Sequence, residues 1–319
     1  MGGPVPLKSN DSESHKVVPS PFIDTIVLGS LPMSHRYFLS NVAELFSPAL
    51  VFFPEIVRAN VARVVELAGG PERLRPHVKT HKTREIVQIQ LAAGVTKHKC
   101  ATIAEAELLA SAGVPDVLIS YPLVGPNVGR LAALARLFPA TAFSALVDCE
   151  IGANGLATAA AESGRPIGFL VDIDVGQNRT GVAAGDSAMS LYATAAQLRG
   201  LVPQGLHAYD GHNGMESLAD REAAARAGLA PVLAMRAELE RRGFPVPRIV
   251  AGGTPTFSTY SKMLDVSGLE CSPGTYVLHD HGYGTKFREL TGLEPAAVLV
   301  TRVVSRPTPT RVTFDLGTK

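Results

Sequence analysis

The chain has 319 residues, 46% of them hydrophobic and 18% charged, with a formal net charge of +1. That length can bury one large core, and a near-neutral balance without a sustained basic stripe excludes a general nucleic-acid surface. No apolar run approaches the about 20 residues that span a bilayer, and the first residues carry neither a signal-peptide core nor an Arg-rich transit pattern. A cytoplasmic protein acting on small molecules, with no membrane or nucleic-acid partner, is expected.

Residues 1–22 are polar and proline-spaced, residues 23–48 hold short apolar clusters, and 1–40 read as a loosely packed or disordered extension. The apolar run 49–53 (ALVFF) leads into a helical segment, 55–68, with Ile56, Val57, Val61, Val64 and Val65 on one side and Gly69-Gly70 as its stop. From Leu74 a rhythm sets in. Apolar strands are expected at 74–79, 97–101, 116–121, 143–148, 167–175, 204–209, 247–251 and 269–277. Helices are expected between them, at 83–93, 102–112, 127–138, 151–163, 187–199 and 216–242, the last broken in two by Pro231. Thr102 and Glu105 form a capping box at the start of the second of these helices.

Eight strands alternating with helices are the pattern of a (β/α)8 TIM-like barrel, here over residues 41–290. A doubly wound open sheet is the alternative, but neither GxxxxGK nor GxGxxG follows a strand. Residues 295–306 and 310–316 read as two strands across a Pro-Thr-Pro-Thr turn. They are taken as the start of a C-terminal β domain, 291–319, that appears truncated. Cys100, Cys149 and Cys271 are too widely spaced for a metal knuckle or disulfide framework and read as small buried hydrophobes.

The densest chemistry lies at 74–83 (LRPHVKTHKT). A lysine at the end of a buried strand, Lys79, loses its proton cheaply and becomes a nucleophile toward carbonyl carbon. In a barrel, loops after the seventh and eighth strands often hold phosphate. Here those loops are 251–256 (AGGTPT) and 272–276 (SPGTY), with backbone N–H groups and the hydroxyls of Thr254 and Thr275 as donors. Arg179 either holds a ligand anion or pairs with Asp172 or Asp174. Tyr209 is placed to line a ring-shaped ligand, with His212 or Asp210 handling protons. In a strand, His279 and His281 would share one face, the geometry of two metal ligands, though without a third.

The segments RPHVKTHK (75–82), VDIDVGQNRTGV (171–182), GLHAYDGH (205–212), AGGTPT and SPGTY, in this order, resemble fold-type III pyridoxal-phosphate enzymes. The branch is that of D-threonine aldolase and D-serine dehydratase, with the alanine racemase barrel as a relative. The resemblance covers about residues 49–319. It implies that Lys79 carries pyridoxal 5'-phosphate as a Schiff base, that Arg179 donates to the cofactor's phenolic oxygen, and that Tyr209 lies beside the pyridine ring. Gly252, Gly253, Thr254, Gly274 and Thr275 would bind the phosphate. His81, taken to share a strand face with Lys79, would serve a proton or the substrate carboxylate. Ser272 stands where racemases of this fold place an arginine against the pyridine nitrogen, and a neutral hydroxyl there suits carbanion chemistry better than a strongly basic partner would.

The implied activity is that of a lyase on D-configured β-hydroxy amino acids, working as a homodimer. A non-catalytic cofactor-binding protein of the same barrel, or an amino-acid racemase, is the alternative. The resemblance further implies a divalent metal, manganese or zinc, on a His-x-Asp or His-x-Cys pair late in the β domain. No such pair occurs through Lys319, so the expectation is a chain that holds the cofactor but has little lyase activity.

Overall fold

The computed structural model describes residues 37–317. The expected extension over 1–40 therefore lies almost wholly outside the described residues. Residues 37–45 belong to a unit of their own, containing one short 3-10 turn, Val42–Glu44. Residues from Phe46 onward form the other unit.

That unit opens with β1 (Ala49–Phe52) and α1 (Pro54–Ala68). Pro54 sits at the helix start, where its missing N–H costs nothing, and Gly69 closes the helix in the left-handed region at φ 80°. The buried face is Ile56, Val57, Asn60, Val61, Val64 and Ala68, the spacing of one helical stripe. Then come α2 (Arg84–Ala92), β2 (Lys97–Cys100), α3 (Ile103–Ser111), β3 (Asp116–Pro122), α4 (Asn127–Leu137), β4 (Ala142–Val147) and α5 (Glu150–Ser163). β5 (Ile167–Asp172), α6 (Asp186–Gln197), β6 (Leu201–Ala208), α7 (Leu218–Arg241), β7 (Ile249–Ala251), α8 (Phe257–Tyr260) and β8 (Leu269–Cys271) complete the alternation.

β2 to β8 form one parallel sheet in sequence order. The expected first strand, 74–79, is not a regular strand. Residues 74–77 instead join the two edges through parallel bridges, Leu74 to Cys271 and His77 to Lys99. Arg75 N donates to Cys271 O at 2.8 Å, and Lys99 N to Pro76 O at 2.8 Å. The ring thus closes as an eight-membered alanine racemase-like barrel, with Val78–Thr80 turning away as a 3-10 helix.

Register decides which side chains enter the barrel, because residues opposite each other on parallel strands share a face. Lys99 lies opposite Leu118, Leu146 opposite Leu170, Asp172 opposite His207, and His207 opposite Val250. Leu118, Leu146, Leu170 and Val250 form a buried interior cluster. Lys99, Asp172 and His207 share its face. β6 keeps this phase only through a bulge: Phe169 faces Pro203, but Leu170 faces Gly205. Gly205 has φ 124°, and a Cβ there would lie 1.9 Å from Arg248 O. Only glycine fits.

The strand-start end of the barrel is closed by charge. Arg75, 1% exposed, donates from Nε to Glu270 at 2.6 Å and from both terminal nitrogens to Asp116 at 2.8 Å. Arg248 also reaches Asp116, and Lys97 reaches Glu270, at 2.8 and 2.7 Å. Burial by itself would raise the Asp116 carboxyl, but the two guanidiniums outweigh it and hold it down to about 2.

Several expected details differ. α7 runs unbroken through Pro231, its buried stripe continuing from Leu229 to Val232 and Met235. The capping box at α3 is present, with Glu105 N donating to Thr102 Oγ1 and the Glu105 carboxylate receiving Ala101 N. β8 ends at Cys271, six residues before the expected limit, because 275–277 coil as a 3-10 turn. Cys149 is exposed, unlike the buried Cys100 and Cys271.

After α9 (His281–Lys286), the segment expected as one strand, 295–306, divides into β9 (Ala297–Val300) and β10 (Val303–Thr308). β9 pairs antiparallel with β1, from Ala49–Val300 to Phe52–Ala297. β10 forms a hairpin with β11 (Arg311–Phe314). Buried Asn60 donates to Glu294 O and accepts from Glu294 N, fastening this stretch to α1. Among the described residues, no helix is long and apolar enough to cross a membrane.

Candidate active site

The strand-end mouth of the barrel holds two adjoining cavities, of about 80 and 350 Å³. His77, Lys79, Lys99 and Tyr209 line both. The smaller reaches the two glycine-rich loops, and the larger reaches Arg179. A roomier groove of about 700 Å³, between Phe52, Val57, Ile86 and Ile89, is apolar and has no lysine, histidine or cysteine in its lining.

Lys79 stands on the 3-10 turn rather than on a strand, and His77 shapes that turn by accepting Lys79 N at its Nδ1. Ser120 spends its proton on Cys100 O at 2.9 Å, so His77 Nε2–H donates to Ser120 Oγ at 3.4 Å. Burial, with the charges of Lys99 and Lys79, pushes the His77 imidazole down to about 2 and keeps it neutral. The Lys79 amine is lowered by burial and by Arg179, with Glu105 opposing.

Tyr209 is the hub. The Nζ of Lys79 lies 5.6 Å from its ring centroid, that of Lys99 5.4 Å, and the Arg179 guanidinium carbon 5.2 Å. A Cβ at Gly211 would stand 2.2 Å from the Tyr209 hydroxyl, so glycine is required beside it. Arg179 makes no ion pair among the described residues. Asp172 is instead taken by His207 and Thr180, and Asp174 caps the N–H groups of Gly176 and Asn178. The structural Arg–Asp pair is thereby overturned, leaving the Arg179 guanidinium facing the cavity.

Thr254 links the two loops: its hydroxyl oxygen accepts from Gly274 N and Thr275 N, both at 3.1 Å. Two successive N–H groups converging on one oxygen can equally serve an anionic oxygen. Asp210, expected as a proton carrier, is committed elsewhere, since it receives the hydroxyls of Thr256 and Tyr260, each at 2.8 Å. It therefore braces the 251–256 loop from below, and His212 is exposed outside both linings. Fully buried Arg221 adds a second brace by donating to Pro255 O at 3.2 Å.

The fit to a pyridoxal phosphate molecule is tested by Ser272. Its hydroxyl is buried and lines the smaller cavity, yet has no hydrogen-bond partner among the described residues. A buried hydroxyl without a partner is costly, and a polar ring atom of a ligand would satisfy it. Together with the loop N–H groups and the Arg179 guanidinium, it gives the donor set that a phosphorylated, phenol-bearing heterocycle needs.

The expected residues Lys79, Arg179, Tyr209, Gly253, Thr254, Ser272, Gly274 and Thr275 are thus gathered at one mouth. Gly252 lies outside both linings, with φ 74°, and supports the loop turn. His81 is not among the residues lining this mouth. Because Lys79 is on a turn, the two share no strand face; His81 accepts Thr83 N at its Nδ1 and lines neither cavity. His279 and His281 form no strand pair either: His279 has φ 43° and His281 begins α9. Among the described residues, no cluster of three or more His, Cys, Asp or Glu side chains could hold a metal ion.

Lys99, His207 and Asp172, from β2, β6 and β5, form a constellation that the sequence motifs do not assemble. His207 Nδ1 is 2.6 Å from Asp172 Oδ1, and its Nε2 is 3.3 Å from Lys99 Nζ. The available sequence signal was a lysine alternating with His and Cys in a short strand (KHKC), which points inward once β2 is read as barrel wall.

A parallel barrel with a lysine, an arginine and two glycine-rich loops at its mouth is the arrangement that the resemblance to fold-type III pyridoxal-phosphate enzymes implies. Residues 55–278 match the family described as alanine racemase, N-terminal domain, and the chain belongs to that family. It is 32% identical over 285 residues to a D-threonine aldolase of Arthrobacter, covering 87% of this chain and 73% of that protein. It is 29% identical to the D-threo-3-hydroxyaspartate dehydratase of Delftia, over 74% of this chain and 62% of the relative. The crystal structure of D-threonine aldolase from Filomicrobium marinum superposes with a TM-score of 0.80 at 31% identity, covering 86% of this chain and 74% of that one.

Proposed function

We propose that this chain is a pyridoxal-phosphate-dependent lyase acting on D-configured β-hydroxy amino acids, with the cofactor bound covalently to Lys79. The observation that carries the reading is the convergence of Lys79, Arg179 and an unpartnered Ser272 hydroxyl on two adjoining cavities that share Lys79 and Tyr209. The names of the relatives, two aldolases and a dehydratase among them, support the substrate class.

When bound, the cofactor supplies an electron sink for the pair released at the substrate Cα. Lys79, with its amine lowered by burial, is the nucleophile toward the cofactor's carbonyl carbon. Arg179, a fixed cation, would hold the phenolic oxygen as an anion. Ser272 would meet the pyridine nitrogen with a neutral hydroxyl. The N–H groups of Gly253, Gly274 and Thr275, with Thr254, would hold the phosphate. The walls of Tyr209 and the loops exclude water from the face they cover.

The test is to load the full chain with pyridoxal phosphate, reduce it with borohydride and map the pyridoxyl group. Labelling at Lys79 is expected, followed by turnover of D-threonine, D-serine or D-3-hydroxyaspartate with manganese or zinc present. Aldehyde with glycine distinguishes aldol cleavage from the oxo acid and ammonia of dehydration. Label on another lysine, or racemisation as the only reaction, would overturn the proposal.

A further inference from the structure

Lys99 is an unusual residue for a barrel interior. It is 2% exposed, and it forms no ion pair among the described residues. Among the described residues, the only hydrogen-bond partner of its amine is His207 Nε2, at 3.3 Å. Lys97, two residues earlier on the same face, is by contrast paired with Glu270. A buried ammonium without a counter-ion is expensive, and the less costly state is the neutral amine.

The neighbours fix the direction of the hydrogen bonds. Asp172 receives Thr180 Oγ1–H on one oxygen and the His207 Nδ1–H on the other. His207 is then left with a lone pair on Nε2 that accepts an N–H from Lys99. Burial comes first in lowering the Lys99 amine to about 7, followed by Lys79; Asp172 and Asp210 oppose, while Arg75 adds to the lowering. His77, His207 and Tyr209 also face this space, the imidazoles lowered and the phenol raised by burial. Lys99, with its amine lowered to about 7, can therefore exchange a proton near neutral pH while lining the same two cavities as Lys79.

We infer that Lys99, steadied by the His207–Asp172 pair, is a second catalytic amine that carries the proton to and from the substrate Cα. This rests on the cofactor reading of the site. In cleavage, the Cα–Cβ bond breaks, its electron pair stays with Cα, and the β-carbon leaves as an aldehyde as its hydroxyl proton passes to solvent. The ammonium form of Lys99 then gives its proton to Cα, forming the C–H bond of glycine, and the amine regains a proton from water. In reverse, with glycine alone, the amine removes a Cα proton and returns a solvent one.

The experiment follows glycine Cα exchange in heavy water by proton NMR, on full chain loaded with pyridoxal phosphate, together with borohydride mapping. Wild type should exchange one Cα proton, with a rate rising as pH passes through about 7. Lys99→Met should lose at least about a hundred-fold of that rate, while the pyridoxyl label stays on Lys79. Lys99→Arg should lose as much, since it keeps the charge and donors but cannot give up its proton. Unchanged exchange in either labelled variant would overturn the role of Lys99 alone, as would a wild-type rate flat across neutral pH. Variants that fold but carry no label would make Lys99 a cofactor-holding group and also overturn it. Wild type without label at Lys79 would instead sink the cofactor reading itself.

Discussion

Replacing Arg75 with methionine should unseat the charged base of the barrel. The guanidinium is fully buried and spans two carboxylates, Glu270 on β8 and Asp116 on β3, thereby joining the closing segment to both sides of the ring. Removing one partner of a buried ion pair costs about 3–5 kcal/mol, because the other charge is left uncompensated. Here Asp116 keeps Arg248 at 2.8 Å and Glu270 keeps Lys97 at 2.7 Å, which places Arg75→Met near the lower bound. A loss of about 3 kcal/mol corresponds to a melting point lower by about 6–12 °C for a domain of this size. Urea unfolding at neutral pH measures it directly. The acid limb provides a second measure. Asp116 falls from 3.8 to about 2 on folding, so its contribution is fully present above pH 3.8 and is lost as pH drops toward 2. That contribution is about 2 kcal/mol, and it should shrink in Arg75→Met. A loss below about 1 kcal/mol with an unchanged acid limb would refute the reasoning and make the cluster a solvated surface network.

Other substitutions probe the mouth and the bulge. Ser272→Ala removes a buried hydroxyl without a partner, so apo stability should hold or rise slightly, while cofactor affinity falls by about 1 kcal/mol, roughly five-fold; equilibrium dialysis reads the affinity and a melt of the apo chain the stability. Arg179→Met breaks no ion pair and should leave apo stability within about 0.5 kcal/mol, while weakening cofactor binding and shifting the pH dependence of the bound cofactor's absorbance. A large apo loss would restore Arg179 to a structural role. Gly205→Ala places a methyl group against Arg248 O at a left-handed φ and should cost more than about 3 kcal/mol; soluble protein with an unaltered melting point would show that β6 can shed its bulge.

Much of the barrel was legible because most of its strands, β2 (KHKC) excepted, are short apolar runs and the longer helices repeat a stripe, as α1 does from Ile56 to Val64. Lys79 and the loops at 251–256 and 272–276 stood out for a similar local reason, since glycines and hydroxyls concentrate where backbone must approach a ligand. The misread features depend on relations that no local pattern holds. The segment 74–77 looked like a strand but bridges two edges and then turns, which removed the face that His81 was to share. The Lys99–His207–Asp172 line depends on the phase of β6, and the extra residue at its bulge shifts that phase invisibly to any period-two count. Pro231 reads as a break, but the stripe from Leu229 to Met235 continues the packing of α7 across it. His279 and His281 alternate like strand residues, yet the backbone there turns through a left-handed residue into a helix.

The antiparallel ladder between β1 and β9 joins the approach to the barrel with the exit from it. Every barrel strand is complete once Cys271 has been made, but β1 has no ladder partner until residues 297–300 follow. During synthesis at about 5–20 residues per second, the ring can form while the segment ahead of α1 is still an open edge. β9 then latches onto β1 in a contact of very long sequence separation, which is expected to order late because loop entropy must be overcome before any pairing is gained. The expected order of assembly on the ribosome is barrel first and clasp second, and a chain without residues 297–300 should present β1 as an unpaired edge to any neighbour able to add a strand.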